Sequence, residues 1–325
     1  MTTKTEENTT HLRNERVGLI GVGFMGRGIA ACLLSRGLEV HAYDKNSNKA
    51  VESRKHIEST LYELGRREIV PKIMLKNYQS RLHILISPIE LDSTTFLIES
   101  IDENLSNKRE VYKIMEDIVP STTIIASNTS SLPITTLQAE MKHPERFIGM
   151  HWGEPAEIMR YLEVVPGEKT SNETIERTLA LGDICGKEPT LLKQDIQGFI
   201  SNRLMYAMIR EAIHLVESGI ADVETVDRSF RNDIGYWATI AGPFRWMDLT
   251  GIPAYATVME GLLPKLSNST EVPELMRKMV ESGAEGITTA KGFYDYSKES
   301  ASEAERKWIE FTYEIRKLAE KYNIK

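Results

Sequence analysis

One histidine and three carboxylates fall within the stretch GMHWGEPAEIMRYLEVV at 149–165: His151, Glu154, Glu157 and Glu163. An imidazole titrates near working pH, so His151 could take a proton from an alcohol while hydride leaves the carbon. A carboxylate on its other ring nitrogen would fix the tautomer and stabilise the imidazolium that forms. Glu163 suits that task, because it lies in the apolar run YLEVV, where a charge is buried only if paired. Glu157 has no evident task and reads as a solvated side chain. On this segment alone, a satisfied core histidine explains His151 as well as a catalytic one does.

A second constellation could hold the hydride carrier. Gly21-Val22-Gly23-Phe24-Met25-Gly26 fits G-x-G-x-x-G, which is weak evidence by itself. Here it follows a short apolar strand, Val17 to Ile20, and opens a helical run with apolar Ile29, Ala30, Leu33 and Leu34. A second strand, LEVHAYD, ends on Asp44, 18 residues after Gly26. Gly21 would permit the tight turn, Gly23 would let a pyrophosphate reach the backbone, and Gly26 would allow close helix–strand packing. The helix N-terminus offers unpaired N–H groups to phosphate. Asp44 would accept the adenosine ribose hydroxyls and repel a 2′-phosphate, which favours NAD over NADP; FAD uses the same fingerprint.

These residues need a scaffold, and its outline is legible. The chain has 325 residues, 41% hydrophobic and 27% charged, enough for two domains with ordinary cores. A net charge of −7 argues against a nucleic-acid or anionic-membrane partner, and no apolar run is long enough to span a membrane. Residues 1–14 are polar and are expected to form a disordered leader. Cys32 and Cys185 lack metal-like spacing and read as buried thiols in a reducing cytoplasm. From 15 to 194, short apolar runs (LHILIS, TTFLIES, TTIIASN, RFIGMH, YLEVVPG) alternate with helical stretches, among them a pair of helices over 46–76 broken at Pro71. From 195 to 325 the patterns are helical only, at 195–218, 222–232, 246–262 and a final helix carrying Trp308, Phe311, Ile315 and Leu318. The fold class is therefore α/β: a Rossmann-type doubly wound sheet domain over 15–194, followed by an all-helical C-terminal domain over 195–325.

Six segments together resemble the L-3-hydroxyacyl-CoA dehydrogenase family: GVGFMGRGIA at 21–30, ASNTSSLPI at 126–134, HPERFIGMH at 143–151, GFISNRL at 198–204, AGPFRWMDLTG at 241–251 and KGFYDY at 291–296. The resemblance runs in order from about residue 16 to 297. It implies NAD-dependent interconversion of a 3-hydroxy and a 3-keto group, with a short-chain 3-hydroxyacyl-CoA as the substrate most implied. His151 aligns with the family's catalytic base and Glu163 with its partner, while Ser130 and Asn202 match the polar residues that bind the reacting oxygen. Ser127 and Asn128 are expected near the nicotinamide, and Glu99 could meet the cofactor from a neighbouring strand. The family usually forms homodimers through its helical domain.

One departure bears on substrate. Where the family reads H-F-F-N-P, this chain reads His151-Trp152-Gly153-Glu154-Pro155. A carboxylate cannot donate a hydrogen bond to a thioester carbonyl unless protonated, so Glu154 would favour a hydroxyl-rich or cationic substrate; alternatively it acts only on His151 through its charge. Basic residues over 46–76, including Lys49, Arg54, Lys55, Arg66, Arg67, Lys72 and Lys76, could meet CoA phosphates or form a solvated face. A free small 3-hydroxy acid or polyol, as in the lambda-crystallin/gulonate dehydrogenase type, is the alternative substrate. A non-catalytic NAD-binding structural protein is a further alternative, disfavoured by the intact His151, Glu163, Ser130 and Asn202.

Overall fold

The structure, a computed structural model, describes residues 15–322; the expected leader lies outside them. The first of two compact units runs to Asn202. Its elements alternate as the sequence patterns indicate: β1 (Arg16–Ile20), α1 (Phe24–Ser35), β2 (Glu39–Tyr43), α2 (Ser47–Arg66), β3 (Leu82–Ile84), β4 (Phe96–Glu99), α3 (Leu105–Ile118), β5 (Ile124–Ser127), α4 (Ile134–Gln138), β6 (Phe147–Trp152), β7 (Tyr161–Pro166), α5 (Asn172–Ile184) and β8 (Glu188–Leu191). They form one eight-stranded sheet in the order β3-β2-β1-β4-β5-β6-β7-β8.

Two features of this sheet position chemistry. β1 pairs in parallel with both β2 and β4, so the chain order reverses beside β1 and leaves a crevice at its carboxyl end. That is where doubly wound sheets bind nucleotides. β6 and β7 instead run antiparallel, with His151 directly opposite Glu163 in the register. Opposed residues of an antiparallel pair project from the same face, so the two side chains are neighbours by construction. Fully buried Leu19, Ile98, Ile125, Ile148 and Val164 in the central strands show that the sheet is covered on both faces, as parallel sheets are.

Some expectations fail locally. The pair of helices over 46–76 is one long helix, α2, and then only a 3-10 turn at Lys72–Leu75, because Pro71 breaks the run and too few residues remain before β3 for a second helix. β8 carries Pro189 and no alternating pattern, so it was not visible in the sequence; proline is tolerated there because the strand lies at the sheet edge. The helix expected from 195 starts only at Ser201, since Gly198 and Phe199 adopt left-handed φ of 78° and 52°. Cys32 and Cys185 are buried, the former donating to the carbonyl of the latter at 3.5 Å.

The second unit, from Arg203, is helical: the rest of α6 (Ser201–Glu217), then α7 (Val223–Asn232), α8 (Ile234–Trp237), α9 (Pro243–Thr250), α10 (Ile252–Leu262), α11 (Glu274–Glu281) and α12 (Lys298–Lys321). The single helix expected over 246–262 is divided at Gly251, whose φ of 107° no continuing helix accommodates. Within this unit the buried apolar residues are Ile213, Ala241, Ala301, Tyr313 and Ala319. Leu204 and Met208 on α6 are exposed, as are Trp308, Phe311 and Leu318 on α12.

Candidate active site

The glycine turn after β1 and the end of β4 enclose a cleft of about 430 Å³ lined by Gly21, Gly23, Asp44, Lys49, Ser100 and Asn107. Each glycine has a distinct steric reason. Gly21 has φ of +86°, and a Cβ on it would stand 2.4 Å from the Ser100 carbonyl oxygen. A Cβ on Gly26 would stand 2.0 Å from the Gly21 carbonyl oxygen. Gly23 differs: a Cβ there would meet nothing within 4 Å, so its bare backbone opens onto the cleft at the N-cap of α1. No side chain caps that helix end, which leaves its first N–H groups for an anion. Phe24 and Met25 start the helix, and Arg27 stacks over the Phe24 ring at 5.1 Å. Asp44 accepts from the Val22 N–H at 3.1 Å and the Asn46 N–H at 2.8 Å. Its carboxylate thus braces the glycine turn while lining the cleft. Open glycine backbone, uncapped helix end and terminal acid together fit a dinucleotide.

At the other end of the sheet, His151 Nδ1 lies 3.0 Å from Glu163 Oε2. The second oxygen, Oε1, accepts from the Ile200 N–H at 3.0 Å and the Ser201 N–H at 2.9 Å. The Glu163 side chain is 2% exposed and that of His151 12%. Burial alone would raise the Glu163 carboxyl, but the hydrogen bonds from His151, Tyr161 and Ser201 outweigh it and hold the group below its ordinary value. With Nδ1 engaged by the carboxylate, Nε2 is the nitrogen left for a reacting hydroxyl.

The turn that delivers α6 joins this pair to the other expected substrate residues. After Ile200 and Ser201, the Asn202 amide donates to the Ser130 carbonyl at 2.7 Å. Ser130 is exposed, and its N–H donates at 3.0 Å to Glu103, which also accepts from the Ser131 N–H and the Thr129 hydroxyl. Glu103 was not singled out in the sequence, yet it shapes the whole 129–131 turn. Its hydrogen bonds and the charge of Lys108 outweigh burial and hold its carboxyl low.

The expected cofactor contacts divide. Asn128 ties three strand ends together: its N–H donates to the Glu99 carbonyl, its amide to the Ser100 hydroxyl at 3.2 Å, and its oxygen accepts from Trp152 N–H. Glu99 and Ser127 are instead fully buried. Glu99 accepts from Lys108 at 2.6 Å, from Tyr112 at 2.5 Å, from Ser127 at 2.7 Å and from the Ile101 N–H at 2.7 Å. All four acceptor positions are taken, which is what lets a carboxylate–ammonium pair stay inside. These two side chains therefore support the crevice floor rather than face a ligand, a placement that their position at strand ends did not reveal.

The HWGEP segment also resolves into parts. Trp152 is buried, with the Lys187 ammonium 5.0 Å from its ring centre; that ammonium also bonds the carbonyls of Ala156 and Met159. A Cβ on Gly153 would lie 2.9 Å from a ring carbon of Tyr161, so the missing side chain makes room for that ring. The Tyr161 hydroxyl reaches 2.8 Å from His151 Nδ1 and 2.5 Å from Glu163 Oε2. Burial and the neighbouring Glu163 push its phenol well above its ordinary value, so it stays a neutral donor. Neither Tyr161 nor its link to Gly153 was noticed in the sequence; the signal was alternation, since residues 161 and 163 share one strand face. Glu154 is exposed. Glu157, expected to be solvated, is pressed against Gly28 of α1, and burial raises its carboxyl.

Comparison with known proteins agrees with this fold. The family described as 3-hydroxyacyl-CoA dehydrogenase, NAD binding domain, matches residues 16–196, and its C-terminal domain matches 198–296. The 5-formyl-3-hydroxy-2-methylpyridine 4-carboxylate 5-dehydrogenase of Mesorhizobium japonicum is 35% identical over 89% of this chain and 94% of its own length. A probable 3-hydroxybutyryl-CoA dehydrogenase of Bacillus subtilis is 34% identical over 88% and 99%. Among solved structures, a 5-formyl-3-hydroxy-2-methylpyridine 4-carboxylic acid 5-dehydrogenase described as an NAD+-dependent dismutase superposes with a TM-score of 0.89 at 31% identity, covering 94% of this chain and 99% of that one. The (S)-3-hydroxybutyryl-CoA dehydrogenase of Ralstonia eutropha gives 0.73 at 32% identity, covering 87% and 99%. Sequence, sheet topology and both matched domains lead to one assignment: the chain is an NAD-dependent oxidoreductase of the 3-hydroxyacyl-CoA dehydrogenase family.

Proposed function

We propose that the protein interconverts a hydroxyl and a carbonyl on a small, CoA-free carboxylated substrate. The observation that carries the chemistry is the buried His151–Glu163 pair, backed by the N–H groups of Ile200 and Ser201. NAD supplies the hydride acceptor or donor when bound. His151 Nε2 takes the hydroxyl proton in oxidation and returns it in reduction, and Glu163 stabilises the imidazolium between those events. Ser130 and Asn202, joined by their own hydrogen bond, present a hydroxyl and an amide that can hold the substrate oxygen without charge. Gly21, Gly23, Gly26 and Asp44 hold the dinucleotide, and Asn128 fixes the strand ends beside it.

Two observations favour a small substrate. The second helix of the 46–76 segment is reduced to a 3-10 turn, and both Arg66 and Arg67 point at Glu63, Arg66 at 2.6 Å and Arg67 at 3.1 Å, which neutralises part of the charge a CoA phosphate would need. The Mesorhizobium relative, by its name, acts on a formyl pyridine carboxylate. The family's own substrate, a short-chain 3-hydroxyacyl-CoA, is the second reading, favoured by the Bacillus relative. NADH oxidation measured with acetoacetyl-CoA, acetoacetate and an aromatic formyl carboxylate separates them. Turnover of a free carboxylate at least tenfold above acetoacetyl-CoA in kcat/KM supports the proposal; the reverse order overturns it. No turnover of any carbonyl compound would favour a structural role.

A homodimer through the helical unit belongs to the same reading. A helical unit whose buried apolar residues are Ile213, Ala241, Ala301, Tyr313 and Ala319 has not closed its own core. Exposed Phe244, Leu249, Val258 and Leu262 offer a second copy the kind of surface that obligate dimers bury. A cytoplasmic location fits the two buried cysteines, Cys32 and Cys185.

A further inference from the structure

Away from the cleft, three donors meet on one face of the sheet edge. Glu39 and His41 are two residues apart on β2 and so share a face, and His83 on β3 is the register partner of His41. The two imidazole rings stand 4.6 Å apart between centres, tilted by 37°. Glu39 Oε1 lies 2.8 Å from His41 Nε2 and 3.3 Å from His83 Nε2. Donors around an ion with bonds of about 2.0–2.1 Å stand about 2.9–3.4 Å apart, so these spacings suit a tetrahedral or octahedral cation with little movement.

We propose that Glu39, His41 and His83 form a binding site for a divalent transition-metal ion of the zinc class. One carboxylate and two imidazoles are the donor set such ions accept, and one coordination position remains for water. Arg16 approaches the other carboxylate oxygen, Oε2, at 3.8 Å, which leaves Oε1 for the ion. Without an ion, the Glu39 carboxylate holds the His41 proton on Nε2; an ion on Nε2 would leave that proton on Nδ1, which is buried without a hydrogen-bond partner. The same lack of a supporting contact costs about 10- to 100-fold in affinity. The side chains are 35%, 13% and 42% exposed for Glu39, His41 and His83, open enough for entry. Binding would clip the three-residue β3 to β2 at the edge of the sheet.

Titration of the untagged, NADH-bound full chain with zinc chloride, followed by calorimetry, tests the site. One ion per chain is expected to bind with a micromolar dissociation constant. His83→Ala and Glu39→Ala should each weaken it at least tenfold, and His143→Ala, remote and exposed, should not. Zinc should raise the unfolding temperature of the wild type but not of His83→Ala. Absence of binding overturns the proposal, as does affinity unchanged by both triad variants while their circular dichroism remains native.

Discussion

His151 and Glu163 face each other across β6 and β7, the one antiparallel strand pair in the described sheet, with Nδ1 3.0 Å from Oε2. The reversal of strand direction creates this adjacency, because twelve residues separate the pair in sequence. Every other neighbour on the sheet is parallel.

Tyr161 adds a second donor to Glu163 Oε2 and draws charge from it. In Tyr161→Phe, the carboxylate is left to His151 alone among these side chains and favours its protonated form more strongly. The limb of the oxidation profile where the base loses its proton should therefore move to higher pH. The loss of one hydrogen bond to a charged group costs about 1.5–3 kcal/mol of local stabilisation, so kcat should fall by about 10- to 100-fold. A pH series of initial rates checks this. An unmoved limb would show that Tyr161 only fills space.

Glu163 also makes stability depend on pH. Its folded value lies below the ordinary 4.5, so the stabilisation is present above that value and is lost as pH falls through the folded value. Glu163→Gln should flatten the acid limb of the stability curve in denaturant unfolding. Parallel acid limbs in the variant and the wild type would contradict the pairing.

Asp44 braces the glycine turn, and the proposed function also gives it the ribose. Asp44→Ala should weaken NAD binding by about tenfold or more, the value of one or two hydrogen bonds, and narrow the preference over NADP. Fluorescence titration with both nucleotides measures it, and unchanged affinity would count against the ribose role.

Glu154 stands exposed beside a buried Trp152, so its substitution perturbs no core. If it selects the substrate, Glu154→Asn should raise kcat/KM for acetoacetyl-CoA relative to a free carboxylate by at least tenfold. An unchanged ratio leaves Glu154 with only a surface role.

Much of this was legible in the residues. Two fingerprint glycines meet steric demands within the chain, Gly21 against the Ser100 carbonyl and Gly26 against the Gly21 carbonyl, whereas Gly23 faces open space. Glu163 was legible as a carboxylate in an apolar strand, buried only if paired, and as the partner the resemblance implies; the antiparallel register that sets it opposite His151 was not. Glu99 and Ser127 were harder, since a strand-end polar residue looks the same whether it faces a ligand or an interior ion pair such as that with Lys108. Tyr161 was overlooked because its meaning depends on the absence of a side chain at Gly153, a relation across the β6–β7 connection. The apolar periodicity of α6 and α12 does not say what covers it: Leu204, Met208, Trp308, Phe311 and Leu318 are exposed.

The most direct measurement is the turnover of His151→Asn on the best carbonyl substrate, with NADH affinity determined on the same sample. A loss of about 10²–10⁴-fold in kcat with NADH affinity unchanged is expected, the usual contribution of a general acid–base group. Turnover at the wild-type rate would contradict the assignment of His151 as the proton-transferring residue.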